Sequence, residues 1–476
     1  MKRILAGILI LGFSLVTLRP GFAHDLEKSL SGSWWGTLSL SSGNWVVIMR
    51  FSQKDGHWEG KFLVPQQGVE TPLTEISFDG EHLTIEVALL KGRYEGRLQD
   101  STFFEGKWIQ LGREFRLALQ RGEPPVVSRP QEPKSPYPYR EEEVTVWNPK
   151  AKIQLSGTLT LPLSGSPFPA VILISGSGPQ DRDETIAAHH PFLVWADYLT
   201  RQGFAVLRFD DRGVGKSEGN FASATSLDFA EDVLTFFQYL CSKTEIDAES
   251  IGFLGHSEGG YVATLLASRE TNIAFLVLLA SPAIPWDELL KKQAELINRA
   301  EGVPETVISK NRLLQERLFA AVRSEENVTR LEEEIRQIFQ EFISSLSNEE
   351  KQYLSVDSSF LDSQVQFLTS LWFRYILKHD PATFLQEVSC PVLALYGGKD
   401  LQVPALENKS ACEKAFKEGG NTHFVVKEFP QLNHLFQTAQ TGSPIEYGMI
   451  EETISPQVLE TIGEWLKSVT KRGKME

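Results

Sequence analysis

Cysteine is scarce in this 476-residue sequence, which contains only Cys241, Cys390 and Cys412. An odd number of widely separated cysteines does not suit the disulfide framework of a small secreted domain, so we interpret them as buried apolar residues. No Lys or Arg block is long enough to follow a phosphate backbone, and the formal net charge is −15, which argues against nucleic acid as a partner. No His or Cys pair has the spacing of a metal site, and we predict neither a metal nor another cofactor.

A run of apolar residues long enough to span a membrane is also missing. The most apolar stretch, residues 4–18, has fifteen residues, whereas a transmembrane helix needs roughly 20. It follows Lys2-Arg3, and a small residue, Ala23, lies five positions after its end. This is the pattern of an export signal. We therefore predict a signal peptide over residues 1–23 and an exported protein, periplasmic or secreted, with no stable membrane span after signal removal.

Residues 24–122 alternate short apolar runs with turn-forming residues and contain four aromatic-x-Gly-x-apolar repeats. The repeats begin at Trp34, Trp58, Tyr94 and Phe104. On a strand, positions i, i+2 and i+4 share one face, and a glycine between large side chains lets the sheet curve. We predict a small antiparallel β-barrel-like domain. Its aromatic residues either form the domain core or bind a lipid or glycan.

A second domain is predicted after residues 123–138, which hold six of the 24 prolines and read as a semi-rigid linker. Residues 139–285 alternate apolar strands with helices, and the pattern resumes over residues 390–476. This alternation predicts a doubly wound, mostly parallel sheet covered on both faces. Residues 286–389 contain one glycine and long amphipathic stripes, so we predict a helical cap inserted between two core strands.

The clearest chemical motif is Gly-His-Ser-Glu-Gly at residues 255–259, which matches G-x-S-x-G between an apolar strand and a helix. In this motif the serine occupies a strained turn, and the helix N-terminus faces the oxyanion that forms during the reaction. We predict Ser257 as the nucleophile and the backbone N–H of Glu258 as an oxyanion-hole donor.

Two loops near the predicted nucleophile carry further expectations. The loop at 175–183 is rich in small residues, and we expect the second oxyanion donor there, the Ser177 N–H or else the Gly178 N–H. The loop at 208–217 alternates acidic and basic residues but lacks the spacing of a phosphate-binding loop, so it predicts buried ion pairs.

The partners of the serine are expected in the order Ser, Asp, His, at the ends of the last two strands. Asp400 follows the apolar strand at 392–396, and His434 follows the strand at 424–429. We predict His434 as the general base and Asp400 as the carboxylate that orients it. His256, next to the nucleophile, is interpreted as a supporting residue.

Residues 141–470 resemble the α/β-hydrolase superfamily and, within it, the bacterial EstD-type serine carboxylesterases. The resemblance lies in four strings: Ser-Gly-Ser-Gly-Pro-Gln-Asp-Arg-Asp-Glu from 175, Asp-Asp-Arg-Gly-Val-Gly-Lys-Ser from 210, Gly-His-Ser-Glu-Gly-Gly from 255 and Trp-Phe-Arg-Tyr from 372. It implies a helical cap after the sixth strand and a carboxylesterase with short or medium acyl preference. It also implies Ser257, Asp400 and His434 as the triad.

The cap is predicted to cover the acyl pocket, because it leaves the sheet at the carboxyl edge where the nucleophile lies. Its aromatic residues Trp372 and Phe373 are candidates for lining that pocket, although all of these rings are equally expected as cap core. The hypothesis is an exported serine carboxylesterase acting on a small-molecule ester through an acyl-enzyme. Alternatives are an acyltransferase, thioesterase or peptidase using the same residues, or a noncatalytic binding protein whose β domain is the functional part.

Overall fold

The computed structural model describes residues 30–40, 43–65, 69–110, 113–124, 128–347, 350 and 358–471. The predicted signal peptide lies outside the described residues. The chain divides into two compact units. The first comprises the residues up to 128 with the short segments 186–188 and 445–451, and the second comprises the rest. The domain limits given above stay a prediction.

The first unit is built on an antiparallel sheet. Its strands are β1 (Gly32–Leu40), β2 (Gly43–Lys54), β3 (His57–Val64), β4 (Val69–Pro72), β5 (Glu75–Phe78), β6 (His82–Val87), β7 (Gly92–Asp100), β8 (Phe103–Gln110), β9 (Arg113–Arg116) and β10 (Leu119–Arg121), with a 3-10 turn at Ala88–Leu90. The strand order is β4-β3-β2-β1-β10-β8-β7-β6-β5, and β9 pairs with β8.

This sheet curls back on itself at the segment between β4 and β5. The Leu73 N–H donates to the Gly60 carbonyl on β3 at 2.9 Å. The next residue, Thr74, donates to the Glu86 carbonyl on β6 at 2.8 Å. Because β3 and β6 lie toward opposite ends of the strand order, adjacent residues join the two ends of the sheet. The predicted barrel-like antiparallel domain is confirmed.

The aromatic repeat forms the interior of the first unit. Trp34, Tyr94 and Phe104 are completely buried. A Cβ atom at Gly96 or Gly106 would lie 2.3 or 2.4 Å from the Tyr94 hydroxyl oxygen, so these glycines make room for the ring. These three aromatic side chains therefore belong to the core of the unit, and a lipid or glycan ligand for it stays a prediction.

The second unit contains an eight-stranded sheet. Its strands are β11 (Arg140–Asn148), β12 (Ile153–Leu161), β13 (Phe168–Ile174), β14 (Ala205–Phe209), β15 (Ile246–His256), β16 (Leu276–Leu279), β17 (Val392–Gly397) and β18 (Phe424–Phe429). The order is β11-β12-β14-β13-β15-β16-β17-β18. β11, β12 and β14 pair antiparallel, and every pair from β14 to β18 is parallel. The predicted doubly wound, mostly parallel sheet is confirmed.

Helices surround this sheet. They are α1 (Pro191–Arg201), α2 (Ser226–Cys241), α3 (Glu258–Ala267), α4 (Trp286–Ala300), α5 (Glu305–Ser324), α6 (Val328–Ser344), α7 (Ser358–Thr369), α8 (Leu371–Ile376), α9 (Pro381–Gln386), α10 (Ala405–Glu418) and α11 (Pro456–Lys471), with a 3-10 turn at Phe221–Ser223. A further 3-10 turn, Pro444–Met449, falls almost entirely in the first unit. Helices α4 to α9 lie between β16 and β17 in the chain and form the predicted cap insertion. No helix among the described residues has both the length and the apolar character needed to cross a bilayer.

Candidate active site

Ser257 occupies the sharp turn between β15 and α3. Its backbone has φ +54° and ψ −121°, a conformation that residues with a Cβ rarely adopt and that costs on the order of 1–3 kcal/mol. The Ser257 N–H donates to the Leu279 carbonyl of β16 at 2.8 Å, and the Gly260 N–H donates to the Ser257 carbonyl at 3.0 Å. Ser257 is half-buried, whereas His256 and Glu258 on either side are buried. The turn therefore presents the serine while its neighbours point into the protein.

The turn packs directly on the end of β13, and Gly259 permits this contact. A Cβ at Gly259 would lie 2.0 Å from the Ile174 carbonyl oxygen and 2.6 Å from that of Ser175. Both atoms belong to the backbone and cannot rotate away. The motif thus requires glycine at this position because the helix start and the neighbouring strand touch.

His434 and Asp400 form a buried pair beyond the ends of β18 and β17. The His434 Nδ1 lies 2.8 Å from Asp400 Oδ2, and the two residues are 4% and 3% exposed. The other oxygen, Asp400 Oδ1, accepts the N–H groups of Gln402 at 2.7 Å and Val403 at 2.8 Å. These backbone donors fix the carboxylate so that Oδ2 meets Nδ1, which leaves the Nε2 atom of His434 for proton transfer.

His256 connects His434 to the loop after β13. Its Nε2 lies 3.0 Å from the His434 carbonyl oxygen, and its Nδ1 lies 2.9 Å from Glu184 Oε1. Each ring nitrogen thus faces an acceptor, an arrangement that suits the doubly protonated ring. Burial alone lowers the pKa of His256, but the charge and hydrogen bond of Glu184, the bond to the His434 carbonyl and the charge of Asp400 together outweigh burial, and the net shift is upward. His256 thus has the supporting position expected from the sequence.

The loop after β13 runs against Ser257. A Cβ at Gly176 would lie 3.3 Å from the Ser257 Cβ. The Gly176 N–H donates to Glu184 Oε1 at 2.7 Å, so this N–H is already occupied and the next one along the chain belongs to Ser177. Within the part of the chain that the structure describes, the backbone N–H groups of Ser177 and Glu258 bond to no protein acceptor.

The Glu258 side chain lies beneath the turn and is 3% exposed. Its Oε1 accepts the Ser226 hydroxyl of α2 at 2.6 Å and the Trp372 indole N–H of α8 at 2.6 Å. Burial raises the pKa of Glu258.

The two aromatic candidates of the cap have different surroundings. Phe373 is 1% exposed, and its ring centroid lies 5.6 Å from that of Phe319 and 4.9 Å from that of Phe367, so it belongs to the cap interior. Trp372 is half-buried and bonds Glu258, the residue after the nucleophile. Of the two rings proposed to line the pocket, only Trp372 thus reaches the nucleophile turn.

The charged loop after β14 forms ion pairs beneath the site. Asp210 pairs with Arg182 at 2.7 Å, and Asp232 pairs with Arg212 at 2.7 Å, both largely buried. Asp211 is different, because it accepts a hydroxyl and a backbone N–H but forms no ion pair among the described residues. Burial raises the pKa of Asp211 to about 8. In the described part of the chain, no three metal-binding side chains converge.

The acidic partners Glu184 and Glu258 were not assigned side-chain roles from the sequence. Glu184 ends the string that begins at residue 175, and Glu258 lies inside the G-x-S-x-G motif. Neither position carries a local signal of its partner, because His256 is 72 residues from Glu184 and Trp372 is 114 residues from Glu258.

Parts of this chain are similar to known proteins. A family model described as serine aminopeptidase, S33, matches residues 191–345. Esterase EstD of Thermotoga maritima is 26% identical over 332 residues, which cover 70% of this chain and 68% of EstD. Among solved structures, an esterase of Pyrococcus furiosus has a TM-score of 0.44 at 17% identity and covers 73% of this chain and 99% of its own. Est1E of Butyrivibrio proteoclasticus with bound ferulic acid has a TM-score of 0.40 at 17% identity and covers 70% and 100%. The resemblance to EstD-type α/β hydrolases that the sequence motifs predict is confirmed.

Proposed function

We propose that this α/β hydrolase is an exported serine carboxylesterase that cleaves small-molecule esters of short or medium acyl chains. The observation that carries the proposal is the buried pair between His434 and Asp400, 2.8 Å apart, at the same sheet edge as the strained Ser257 turn. The similarity to EstD supports an ester as substrate. The pattern of residues 1–23 supports export.

In the proposed mechanism, Ser257 Oγ attacks the ester carbonyl while His434 Nε2 takes its proton. Asp400 holds the imidazolium through Nδ1. The N–H groups of Glu258 and Ser177 donate to the oxyanion, and the positive end of the α3 helix dipole adds to this stabilisation. His434 then protonates the leaving alkoxide. Water attacks the acyl-enzyme with His434 again as base, which returns Ser257 to its resting state.

The nucleophile is tested with a fluorophosphonate probe and a panel of p-nitrophenyl esters of increasing acyl length. Because triad residues act as a unit, Ser257→Ala should lower kcat by on the order of 10⁴- to 10⁶-fold and abolish labelling. Its unfolding transition should stay close to that of the wild type. Labelling that persists in Ser257→Ala would remove Ser257 from this role, and a preference for long acyl chains would contradict the proposed acyl class.

A peptidase is the second candidate, since the matching family model is described as a serine aminopeptidase. The same residues cleave an amide if the pocket holds a peptide N-terminus. Aminoacyl p-nitroanilides added to the ester panel separate the two. Higher kcat/KM for these amides than for every ester would favour the peptidase. Export is tested by cell fractionation and N-terminal sequencing, with a mature chain expected to begin near His24.

A further inference from the structure

Glu258 supplies a backbone N–H to the proposed oxyanion hole, but its side chain has no part in the proposed mechanism. A buried carboxyl next to the nucleophile is costly, because burial without a cation disfavours the charged form by several kcal/mol. Among the described residues no Lys, Arg or His pairs with it, and the cavity of about 20 Å³ that it lines is shared with the carboxyls of Asp211 and Asp232. The side chain must therefore be stabilised by its hydrogen bonds.

The bonds of Glu258 reach two separate elements. Ser226 begins α2, and a reciprocal capping interaction between Thr225 and Asp228 fixes that helix start. Trp372 belongs to cap helix α8. One carboxyl at the start of the helix after Ser257 thus bonds both α2 and the cap.

Both hydrogen bonds end on one oxygen of the carboxyl. Oε1 accepts from Ser226 and from Trp372, as a carboxyl oxygen with two lone pairs can. Burial raises the pKa of Glu258 and the hydrogen bonds lower it, with burial the larger effect.

We propose that the Glu258 side chain is a positioning residue, which holds cap helix α8 and the start of α2 against the Ser257 turn through Trp372 and Ser226. This inference rests on the proposed serine-hydrolase function. It does not require Glu258 to touch substrate through its carboxyl. It assigns to the cap residue Trp372 a role in holding the site in shape, in addition to any contact with the acyl chain.

The chain provides a matched pair of tryptophans for the test. Trp286 on α4 is 4% exposed, its ring centroid lies 6.5 Å from that of Trp372, and its indole N–H has no hydrogen-bond partner among the described residues. Replacing either tryptophan with Phe removes an indole N–H and part of a ring. Only the Trp372 variant removes a bond to Glu258.

The kinetic measurement is the rate of fluorophosphonate labelling, together with kcat and KM for an acetyl ester. Because the Ser257 turn loses part of its orientation, Trp372→Phe should slow labelling roughly 3- to 10-fold and Glu258→Ala roughly 10- to 100-fold. With the acetyl ester, both variants should lower kcat and leave KM close to the wild-type value. Glu258→Gln should recover most of the rate, because its amide oxygen can accept the same two hydrogen bonds from Ser226 and Trp372. Trp286→Phe should stay within about 2-fold of wild type.

A second measurement is independent of catalysis. The indole N–H resonance that disappears in Trp372→Phe should lie downfield in the wild type, move upfield in Glu258→Ala and stay near its position in Glu258→Gln. An unchanged resonance in Glu258→Ala, or equal rates for the Trp286 and Trp372 variants, would overturn the inference. A wild type that the probe does not label would instead refute the proposed function, and the resonance would still decide whether Glu258 holds the cap.

Discussion

Asp400→Asn should leave the protein folded but almost inactive, for a reason visible in its hydrogen bonds. Two backbone N–H groups, from Gln402 and Val403, point at Oδ1 from 2.7 and 2.8 Å, and the residue is 3% exposed. In the asparagine variant the amide oxygen must occupy this place. The opposite orientation would leave two buried donors unsatisfied, at about 1–3 kcal/mol each. Even 2 kcal/mol in total disfavours that orientation about 30-fold.

The asparagine NH₂ group therefore faces His434 Nδ1, which must accept its hydrogen bond and carry no proton. The proton then resides on Nε2, the atom that has to accept the proton of Ser257. Loss of the correct tautomer costs on the order of 10⁴-fold in kcat, equivalent to about 5.5 kcal/mol of transition-state stabilisation. The expected change in unfolding free energy is only about 1 kcal/mol, because the bonds to Oδ1 persist.

The assay combines kcat on a soluble short-chain ester with urea unfolding of the same preparation. Asp400→Ala is the matched control, since it removes the acceptor of both backbone N–H groups and should be less stable by roughly 2–5 kcal/mol as well as inactive. The free energy of unfolding then distinguishes Asp400→Asn from Asp400→Ala, although both variants lack activity. If Asp400→Asn keeps kcat within tenfold of wild type, Asp400 does not set the tautomer of His434.

Two more variants test the turn and Asp211. Gly259→Ala should fail to fold or melt far below the wild type by circular dichroism, because its Cβ would lie 2.0 Å from a backbone oxygen, and a wild-type melting curve would contradict that packing. Burial raises the pKa of Asp211 from 3.8 to about 8 in the folded protein. Because the folded state keeps a proton that the unfolded state loses, the free energy of unfolding of the wild type should fall between about pH 4 and pH 8, by up to ~1.4 kcal/mol per pH unit. Asp211→Asn should remove this contribution in urea unfolding at pH 5, 6, 7 and 8, and an identical pH dependence in both proteins would refute it.

The sequence predicts the parts of the site that follow from local pattern and chain order. Unbroken apolar strands between helices indicate a parallel sheet, and the ends of parallel strands meet at one edge. That reasoning is enough to single out Asp400 and His434 after the last two strands, and the structure places them 2.8 Å apart. In the first unit, alternation likewise predicts antiparallel strands. It does not predict that β10 inserts between β1 and β8, because that pairing is non-local.

The side chains flanking Ser257 show why the other contacts of the site could not be predicted from the sequence. Periodicity reveals that a position is buried, but a buried acid in a five-residue motif carries no sign of its partner. The partner of Glu258 lies on a cap helix whose approach depends on the folding of about a hundred intervening residues. The partner of His256 lies on the loop after β13 for a similar reason.

These two flanking residues divide the support of the nucleophile between them. His256 bonds the base loop at His434 and the oxyanion loop through Glu184, whereas Glu258 bonds the cap at Trp372. A cap substitution that changes the orientation of α8 is therefore transmitted to the serine through the hydrogen bond between Trp372 and Glu258. An exposed cap ion pair has no such path and contributes only about 0–1 kcal/mol to stability. Changes of acyl specificity that arise in the cap should thus preserve the Trp372 indole while varying the residues around it.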